Sequence, residues 1–296
     1  MRIFITGATG LIGSALCQQL VSLGHTVVAL TRDAAKAKAH FGELNIDFCT
    51  DLTALCTLDD IDAVINLAGE PIFDKRWHKT QKKRLIESRV TLTQTLVGKI
   101  NASQTPPQVL ISGSAIGFYG NVTQSAVDES APAGEGFAAE LCQRWEQAAL
   151  NANTRVCLLR TSNVLATHAG ALSKMLLVYR LGLGGPLGSG EQNWAWIHLA
   201  DMVNAILFLL TTPSCQGPFN CCAPHFIPQA QFSHTLANVL HRPHFAFVPA
   251  FALKLMLGER AQLLLDNQPI MPNALTQAGF RFTHPTLDGA LRNLLT

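Results

Sequence analysis

The residues TGATGLIG at 6–13 constrain the fold of this chain more than any other stretch. Residues 2–6 before them are a short β-branched run with the pattern of a buried strand. Residues 14–25 place apolar side chains at helical spacing, and residues 26–30 have the pattern of a second strand. A glycine triplet between a strand and a helix, with another strand following, is typical of a dinucleotide-binding turn. The sequence therefore predicts an α/β fold that begins with a nucleotide-binding unit.

Each glycine of this turn has its own expected role. Gly7 permits a tight turn, Gly10 lets the backbone approach a pyrophosphate, and Gly13 lets the helix pack closely against the strand. The start of the helix supplies free N–H groups and a partial positive charge for the phosphates. We therefore expect Gly7, Gly10, Leu11, Ile12 and Gly13 to contact a dinucleotide.

The end of the second predicted strand selects the dinucleotide. An acidic residue there would bind the ribose 2′-hydroxyl of NAD(H) and repel a 2′-phosphate. This chain has Thr31 and Arg32 instead, and a guanidinium can hold a phosphate by two charge-assisted hydrogen bonds. The sequence therefore favours NADP(H) over NAD(H). The opposing feature is Asp33, an acidic residue that directly follows Arg32.

Further strand patterns alternate with helical ones along the first half of the chain. Strands are predicted at 62–66, 108–112 and 155–160, and a long helix is predicted at 84–100. Such alternation indicates a parallel sheet with right-handed crossovers. We predict a Rossmann-type doubly wound sheet, with the ligand crevice at the carboxyl ends of its strands.

The pattern changes after about residue 165, where a glycine-rich loop at 181–198 is followed by helical runs and proline breaks. We predict an NADP-binding domain over 1–165. The segment 197–222 is an alternative addition to this domain. A smaller C-terminal α/β lobe over 166–296 is expected to close over the crevice.

Composition excludes some classes of protein. The chain has 296 residues, is 48% hydrophobic and 14% charged, and carries a net charge of +2, which gives no support for nucleic-acid or membrane-surface binding. No segment is long and apolar enough to span a bilayer. The eight cysteines form no Cys-x-x-Cys pair and join no histidines at zinc-ligand spacing. We expect reduced cysteines, no metal site and a cytoplasmic protein.

The glycine turn, the motif NLAG, a serine followed by Tyr-Gly, and WIH with a later Asp resemble the extended short-chain dehydrogenase/reductase superfamily. More narrowly, GEPIFDKRW, ESRV, GSAIGFYG, RWEQAA and LGLGGPLGSG are similar to the YfcH-type epimerase family, and the resemblance covers essentially the whole chain. It implies an NADP-binding Rossmann domain, a small C-terminal lobe and a small-molecule substrate of unspecified identity.

The resemblance implies cofactor contacts beyond the glycine turn. Thr31 and Arg32 match the family's contact to the 2′-phosphate. Arg89 matches a cofactor-binding arginine, whereas its helical position by itself is compatible with solvent exposure. The remaining matched positions are Leu67 and Ala68 on the adenosine side and Val164 as a backbone contact near the nicotinamide. Independently of the resemblance, the small residues Ala68 and Gly69 are expected to let a ligand approach closely at the carboxyl end of their strand.

The proton relay of the superfamily is missing. Its reductases use Tyr-x-x-x-Lys, in which the ammonium lowers the pKa of the tyrosine on the same helix face. This chain has no Tyr-x-x-x-Lys, and its helix at 134–150 presents Phe137 and Leu141 at that spacing. Ser114 matches the catalytic serine or threonine better than Ser112. The candidates for a substitute acid are Tyr119, Glu140, Cys142 and His198.

Two hypotheses on function follow. In the first, the protein is an NADP(H)-dependent oxidoreductase or a nucleotide-sugar epimerase with a substitute acid. In the second, turnover has been lost, and the NADP-binding protein regulates or binds a protein partner, as relatives described as cell-division inhibitors do. The oligomeric state is open.

Overall fold

A computed structural model of the protein describes residues 1–55 and 57–296, so Cys56 lies outside the described residues. The strands are β1 (Arg2–Thr6), β2 (Thr26–Leu30), β3 (Ile46–Cys49), β4 (Ala63–Asn66), β5 (Val109–Ala115), β6 (Arg155–Thr161), β7 (Asn163–Leu165), β8 (Asn193–Trp194), β9 (Trp196–His198), β10 (Gly217–Cys221) and β11 (Ile227–Pro228). Seven of these strands form one sheet and the other four form two small pairs.

The helices connect and flank these strands. They are α1 (Leu11–Ser22), α2 (Ala34–Phe41), α3 (Lys79–Ile86), α4 (Leu92–Ala102), α5 (Phe137–Leu150), α6 (Gly170–Arg180), α7 (Leu199–Thr211), α8 (Gln229–Val239), α9 (Ala250–Leu257), α10 (Gln262–Leu265), α11 (Asn273–Gln277) and α12 (Leu287–Leu295). Short 3₁₀ turns occur at Leu52–Ala54, Ile116–Tyr119 and Gly258–Ala261, and a π-helical segment, Glu87–Thr91, joins α3 to α4.

The main sheet has the strand order β10-β6-β5-β4-β1-β2-β3, and every pairing in it is parallel. The order reverses between β1 and β4, which are hydrogen-bonded neighbours with Thr6 opposite Asn66. In an open doubly wound sheet, ligands bind outside the carboxyl ends of the strands at such a reversal. The predicted α/β doubly wound fold is therefore confirmed.

The core consists of two apolar layers, one on each face of the sheet. One layer joins inward side chains of β1, β2 and β4 to α1 and α7, and the other packs the opposite sheet face against α4 and α5. Because both faces are covered, the strands are nearly continuous apolar runs, as is usual for buried parallel strands.

The C-terminal part of the chain contributes to the main sheet and also forms an apolar cluster of its own. Strand β10 extends the main sheet beside β6, and α7 packs against α1. A separate apolar cluster joins α6, α8 and α12 around Trp194 and Trp196. The two small pairs are β7 with β9, which are parallel, and β8 with β11, which are antiparallel. The division into domains at residue 165 remains a prediction.

Among the described residues, no helix is long and apolar enough to cross a membrane. The seven cysteines described in the structure are all free.

Candidate cofactor and active site

The turn after β1 touches the chain that leaves β4. Gly7 has a φ of +71°, and a Cβ added to it would lie 2.7 Å from the carbonyl carbon of Leu67 and 2.8 Å from the amide nitrogen of Ala68. The Thr6 hydroxyl donates to Asn66 Oδ1 at 2.7 Å and accepts from the Ala68 amide at 3.1 Å. Any side chain at position 7 would separate the two strand ends, so glycine is required there by both space and backbone conformation.

The beginning of α1 is equally compact. A Cβ on Gly13 would lie 2.2 Å from the Gly7 carbonyl oxygen, and one on Gly10 would lie 3.2 Å from the same atom. Gly10 caps α1 without a side-chain hydrogen bond, and no acidic residue lies in the first turn, which contains Leu11 and Ile12. The first amides of a helix have no intrahelical partner. This cradle of glycines and free amides fits a diphosphate group.

The segment after β2 places a cation beside this turn. Arg32 is exposed, and it forms no ion pair with any residue that the structure describes. The Asp33 carboxylate, by contrast, caps α2 by accepting from the Lys36 amide at 3.0 Å. Thr31 is held to β3 through its amide, which donates to the Cys49 carbonyl at 2.9 Å. The acidic residue that opposed the NADP(H) prediction is therefore engaged in helix capping.

Arg89 lies in the π-helical segment, and its guanidinium packs on the chain after β4. Nη2 donates to the Glu70 carbonyl at 2.9 Å, and Cζ lies 5.3 Å from the ring centre of Trp145. A Cβ on Gly69 would lie only 2.9 Å from Cζ. Burial lowers the pKa of Arg89. The side chain is half-buried at the strand ends rather than solvated, and π-bulges are frequent at functional sites.

Val164 reaches the same region from β7. A Cβ on Gly170, at the start of α6, would lie 3.2 Å from Leu11 Cδ2 and 3.5 Å from the Val164 carbonyl oxygen. The fold thus brings Val164 close to the first turn of α1, although the two positions are more than 150 residues apart in the sequence.

Ser114, on β5, belongs to a buried ionic network. Its hydroxyl donates to Glu146 Oε1 at 2.6 Å. Glu146 also forms a two-point ion pair with Arg160, with distances of 2.8 Å to Nε and 2.9 Å to Nη2. The Glu146 and Arg160 side chains are only 7% and 5% exposed. Glu146 and Arg160 were not singled out as functional from the sequence, which carries no local signal for their pairing.

Tyr119 is joined to Ser114 through that ion pair. Its hydroxyl accepts from Arg160 Nη1 at 2.8 Å and donates to Asn220 Oδ1 at 2.7 Å. The Arg160 guanidinium also stacks on Phe118, with Cζ 3.5 Å from the ring centre. Burial raises the pKa of Tyr119 to about 12. Both hydroxyls proposed for catalysis are therefore already hydrogen-bonded within the protein.

Ala138 and Cys142 of α5 lie beside Gly117, which is in the 3₁₀ turn after β5. A Cβ on Gly117 would lie 3.4 Å from Ala138 Cβ and 3.9 Å from Cys142 Sγ. Phe137 instead packs against Trp77, with ring centres 5.1 Å apart. Ala138 and Cys142 have the same four-residue spacing as Phe137 and Leu141, the positions singled out from the sequence.

This pair offers at most a weak acid near neutral pH. Ala138 has no ionisable group. Burial, followed by the charge of Glu146, raises the pKa of the Cys142 thiol to about 11. The absence of Tyr-x-x-x-Lys from the sequence therefore has no evident replacement in this pair.

The His198 side chain, at the end of β9, makes structural contacts. Its Nδ1 accepts from the Ala200 amide at 3.0 Å and so caps α7. Its ring stacks on His284, with centres 3.9 Å apart. In the described part of the chain, no three His, Cys, Asp or Glu residues are grouped so as to hold a metal ion.

Comparisons with known proteins agree with this architecture. The model of the NAD dependent epimerase/dehydratase family matches residues 3–222, and a domain of unknown function, DUF1731, matches residues 248–294. An Arabidopsis thaliana epimerase family protein, the chloroplastic SDR39U1 homolog, is 38% identical over 302 residues, covering 100% of this chain and 87% of the relative.

Two solved structures are similar over the whole chain. Human epimerase family protein SDR39U1 (isoform 2), crystallised with NADPH, has a TM-score of 0.90 and 32% identity, with 99% of each chain covered. A nucleoside-diphosphate sugar epimerase from Corynebacterium glutamicum has a TM-score of 0.79 and 26% identity, with 100% of this chain and 58% of that chain covered. These matches confirm the family resemblance inferred from the motifs. The chain belongs to the NAD dependent epimerase/dehydratase family.

Proposed function

We propose that this protein binds NADP(H) at the carboxyl ends of β1, β2 and β4. The observation that carries the proposal is the beginning of α1, where glycines leave no room for side chains and no side chain caps the free amides. A diphosphate satisfies such a helix start. The human protein crystallised with NADPH, at 32% identity over 99% of both chains, supports the same cofactor.

The residues proposed to hold the cofactor form three groups. Gly7, Gly10, Leu11, Ile12 and Gly13 surround the diphosphate, Thr31 and Arg32 hold the 2′-phosphate, and Leu67, Ala68, Gly69, Arg89 and Val164 line the remainder of the dinucleotide. The preference for the 2′-phosphate rests on Arg32, which is free of an ion pair in the described structure, and on Asp33, whose carboxylate is engaged at α2.

The reaction that we propose is hydride exchange with a carbon that bears an oxygen, as an oxidoreductase or a nucleotide-sugar epimerase performs it. When bound, the nicotinamide supplies or accepts the hydride. Ser114 is the proposed group that polarises the substrate oxygen, and to do so its hydroxyl must leave Glu146. Tyr119 is the proposed proton donor, although burial raises its pKa to about 12 and makes it a weak acid.

A second function, an NADP(H)-loaded protein without turnover, is favoured by a separate observation. Ser114 and Tyr119 both donate to partners inside the protein, and the sequence contains no Tyr-x-x-x-Lys. A positioned acid–base group contributes typically 10²–10⁴-fold in rate, roughly 3–5 kcal/mol, so its loss lowers turnover without weakening the phosphate contacts. In this case the protein would act by binding a partner through its surface.

Calorimetric titration with NADPH and NADH tests the cofactor. NADPH should bind at least tenfold more tightly, which corresponds to about 1.4 kcal/mol. Arg32→Ala should abolish that difference. Arg281→Ala is the matched control, because Arg281 is also exposed and follows α11 near β10, at the far edge of the sheet. Equal affinity of the wild-type protein for both dinucleotides would overturn the preference, and no heat with either would overturn the proposal.

Turnover separates the two functions. NADPH oxidation would be followed with a panel of carbonyl compounds, and sugar interconversion would be followed by chromatography with NADP⁺ and a panel of nucleotide sugars. Activity that Ser114→Ala abolishes, and that the exposed-helix control Ser22→Ala retains, would support the enzyme. NADPH binding with no turnover on either panel would support the second function.

A further inference from the structure

The exposed apolar side chains of this protein are concentrated on one face of its C-terminal part. Twelve large apolar side chains are strongly exposed in the described structure, and nine of them lie within residues 177–183 and 245–256. The other three, Met1, Leu23 and Leu150, are far apart in the sequence. Single exposed apolar residues are ordinary, whereas a cluster marks an interaction site.

Two segments of chain build this apolar face. The first contributes Leu177, Val178, Leu181 and Leu183, from the end of α6 and the residues after it. The second segment runs through the approach to α9 and then along α9 itself. It contributes Phe245, Phe247, Phe251, Leu255 and Met256, of which Phe251 and Leu255 are 74% and 78% exposed.

Backbone hydrogen bonds join the two segments into one surface. The Ala246 amide donates to the Gly184 carbonyl at 3.1 Å, and the Val248 amide donates to the Pro186 carbonyl at 3.1 Å. A Cβ on Gly185 would lie 1.3 Å from the Ala246 carbonyl oxygen, so the two chains are in direct contact. Helix α9 begins two residues after this pairing ends, at Ala250.

The loop after β4 holds the helices on either side of this surface. Asp74 is paired with Lys174 on α6. Two residues later, Arg76 Nη2 donates to the carbonyls of Leu255 and Met256 at 3.1 and 2.8 Å. Because one short loop contacts both α6 and α9, the exposed sides of these helices are held near one another. The two segments of the apolar face are therefore connected both by backbone hydrogen bonds and by one loop.

The size of the apolar face matches an interface between folded chains. Nine strongly exposed Phe, Leu, Met and Val side chains together offer several hundred Å² of apolar surface, and each partner buries ~800 Å² in a standard protein–protein interface. Monomeric proteins rarely expose a contiguous apolar patch larger than a few hundred Å².

Charge favours a second copy of this chain as the occupant. Residues 177–183 and 245–256 contain no carboxylate and only two cations, Arg180 and Lys254. Binding to anionic lipid typically needs a cluster of 4–8 basic residues. A two-fold symmetric interface sets the same patch against itself, so an apolar patch satisfies it without charge pairing. Arginine and lysine stems can lie along such a patch with their charged heads in water.

We infer that the apolar face is the interface of a two-fold symmetric homodimer. The inference does not depend on the cofactor, because none of the proposed cofactor residues lies within residues 177–183 or 245–256. It leaves the exposed, mainly polar surface of α5 free, where Glu140, Gln143, Arg144 and Gln147 face solvent.

Sedimentation equilibrium of the full chain tests the dimer. The wild-type protein should show twice the 32.0 kDa mass of the chain at micromolar concentration. Leu181→Glu and Phe251→Glu, one in each segment, should each raise the dimer dissociation constant at least 100-fold. Leu150→Glu changes a side chain that is 51% exposed on α5, outside the apolar face, and should leave the dimer intact. Circular dichroism melting checks that all three variants fold.

Three results would overturn the inference. The wild-type protein could be a monomer at the highest soluble concentration. Leu181→Glu and Phe251→Glu could both fold and dimerise like the wild-type chain. A wild-type monomer could also float with phosphatidylserine vesicles but not with neutral ones, which would assign the face to a lipid surface. If either variant fails to fold, the other variant and the wild-type mass decide the outcome.

Discussion

Ser114 Oγ lies 2.6 Å from Glu146 Oε1 and donates a hydrogen bond to it, although 32 residues separate the two in the sequence. Both side chains are buried, and Glu146 is also held by Arg160. The serine that we propose to be catalytic is therefore hydrogen-bonded to a buried ion pair. The same contact therefore bears on the proposed catalytic role of Ser114 and on the stability of the protein.

Breaking the ion pair from one side should destabilise the protein strongly. Glu146→Gln leaves the buried Arg160 guanidinium without its countercharge, which typically costs about 3–5 kcal/mol. The double variant Glu146→Leu/Arg160→Met removes both charges and should be less destabilised than Glu146→Gln. Urea denaturation of the three proteins measures the difference. If the free energy of unfolding of Glu146→Gln lay within about 1 kcal/mol of the wild-type value, the prediction would be contradicted.

Adding one methyl group should have opposite effects on stability at two glycines that lie in helices. Gly13→Ala should abolish measurable NADPH binding and lower stability, because its Cβ would lie 2.2 Å from the Gly7 carbonyl oxygen. Gly98 lies on α4 with nothing within 4 Å of an added Cβ, so Gly98→Ala should raise stability by roughly 0.5–1 kcal/mol. Calorimetry and thermal melting measure the two effects, and retained binding in Gly13→Ala would refute the cradle geometry.

Alkaline titration should reveal the environment of Tyr119. Burial raises its pKa to about 12, so between about 10 and about 12 the unfolded chain has lost a proton that the folded protein still holds. The free energy of unfolding should therefore fall as pH rises through this window. Tyr119→Phe should show a smaller slope there while retaining NADPH affinity. Equal slopes in the two proteins would mean that Tyr119 ionises normally.

Acid should destabilise the protein through His198. Burial, and then the neighbouring His284, lower its pKa, whereas Asp201 acts in the opposite direction. The folded protein consequently holds His198 neutral just below pH 6.5, where the unfolded chain binds a proton, so stability should fall as pH falls from about 6.5 toward the lowered pKa of the folded protein. His198→Asn keeps a side chain able to cap α7 and should reduce this dependence. Urea midpoints at several pH values measure it, and an unchanged slope in the variant would exclude His198 as the cause.

The sequence by itself determined the first strand–turn–helix unit, the alternation of strands and helices, and the absence of Tyr-x-x-x-Lys. These features are local, because strand and helix periods and the conformational needs of Gly7 and Gly13 depend on neighbouring residues. The preference for NADP(H) could likewise be inferred from Thr31 and Arg32, since the end of β2 lies next to β1 in any sheet of this type.

Only the tertiary structure decided which distant side chains meet. Ser114, Glu146, Arg160 and Tyr119 come together because β5 and β6 pair with Ser114 opposite Arg160 and α5 packs over that pair. The apolar face likewise depends on the contact between two segments about 60 residues apart. Periodicity tells which side of an element is apolar, but the register and packing of the elements determine whether that side is covered and which charge lies beside a given hydroxyl.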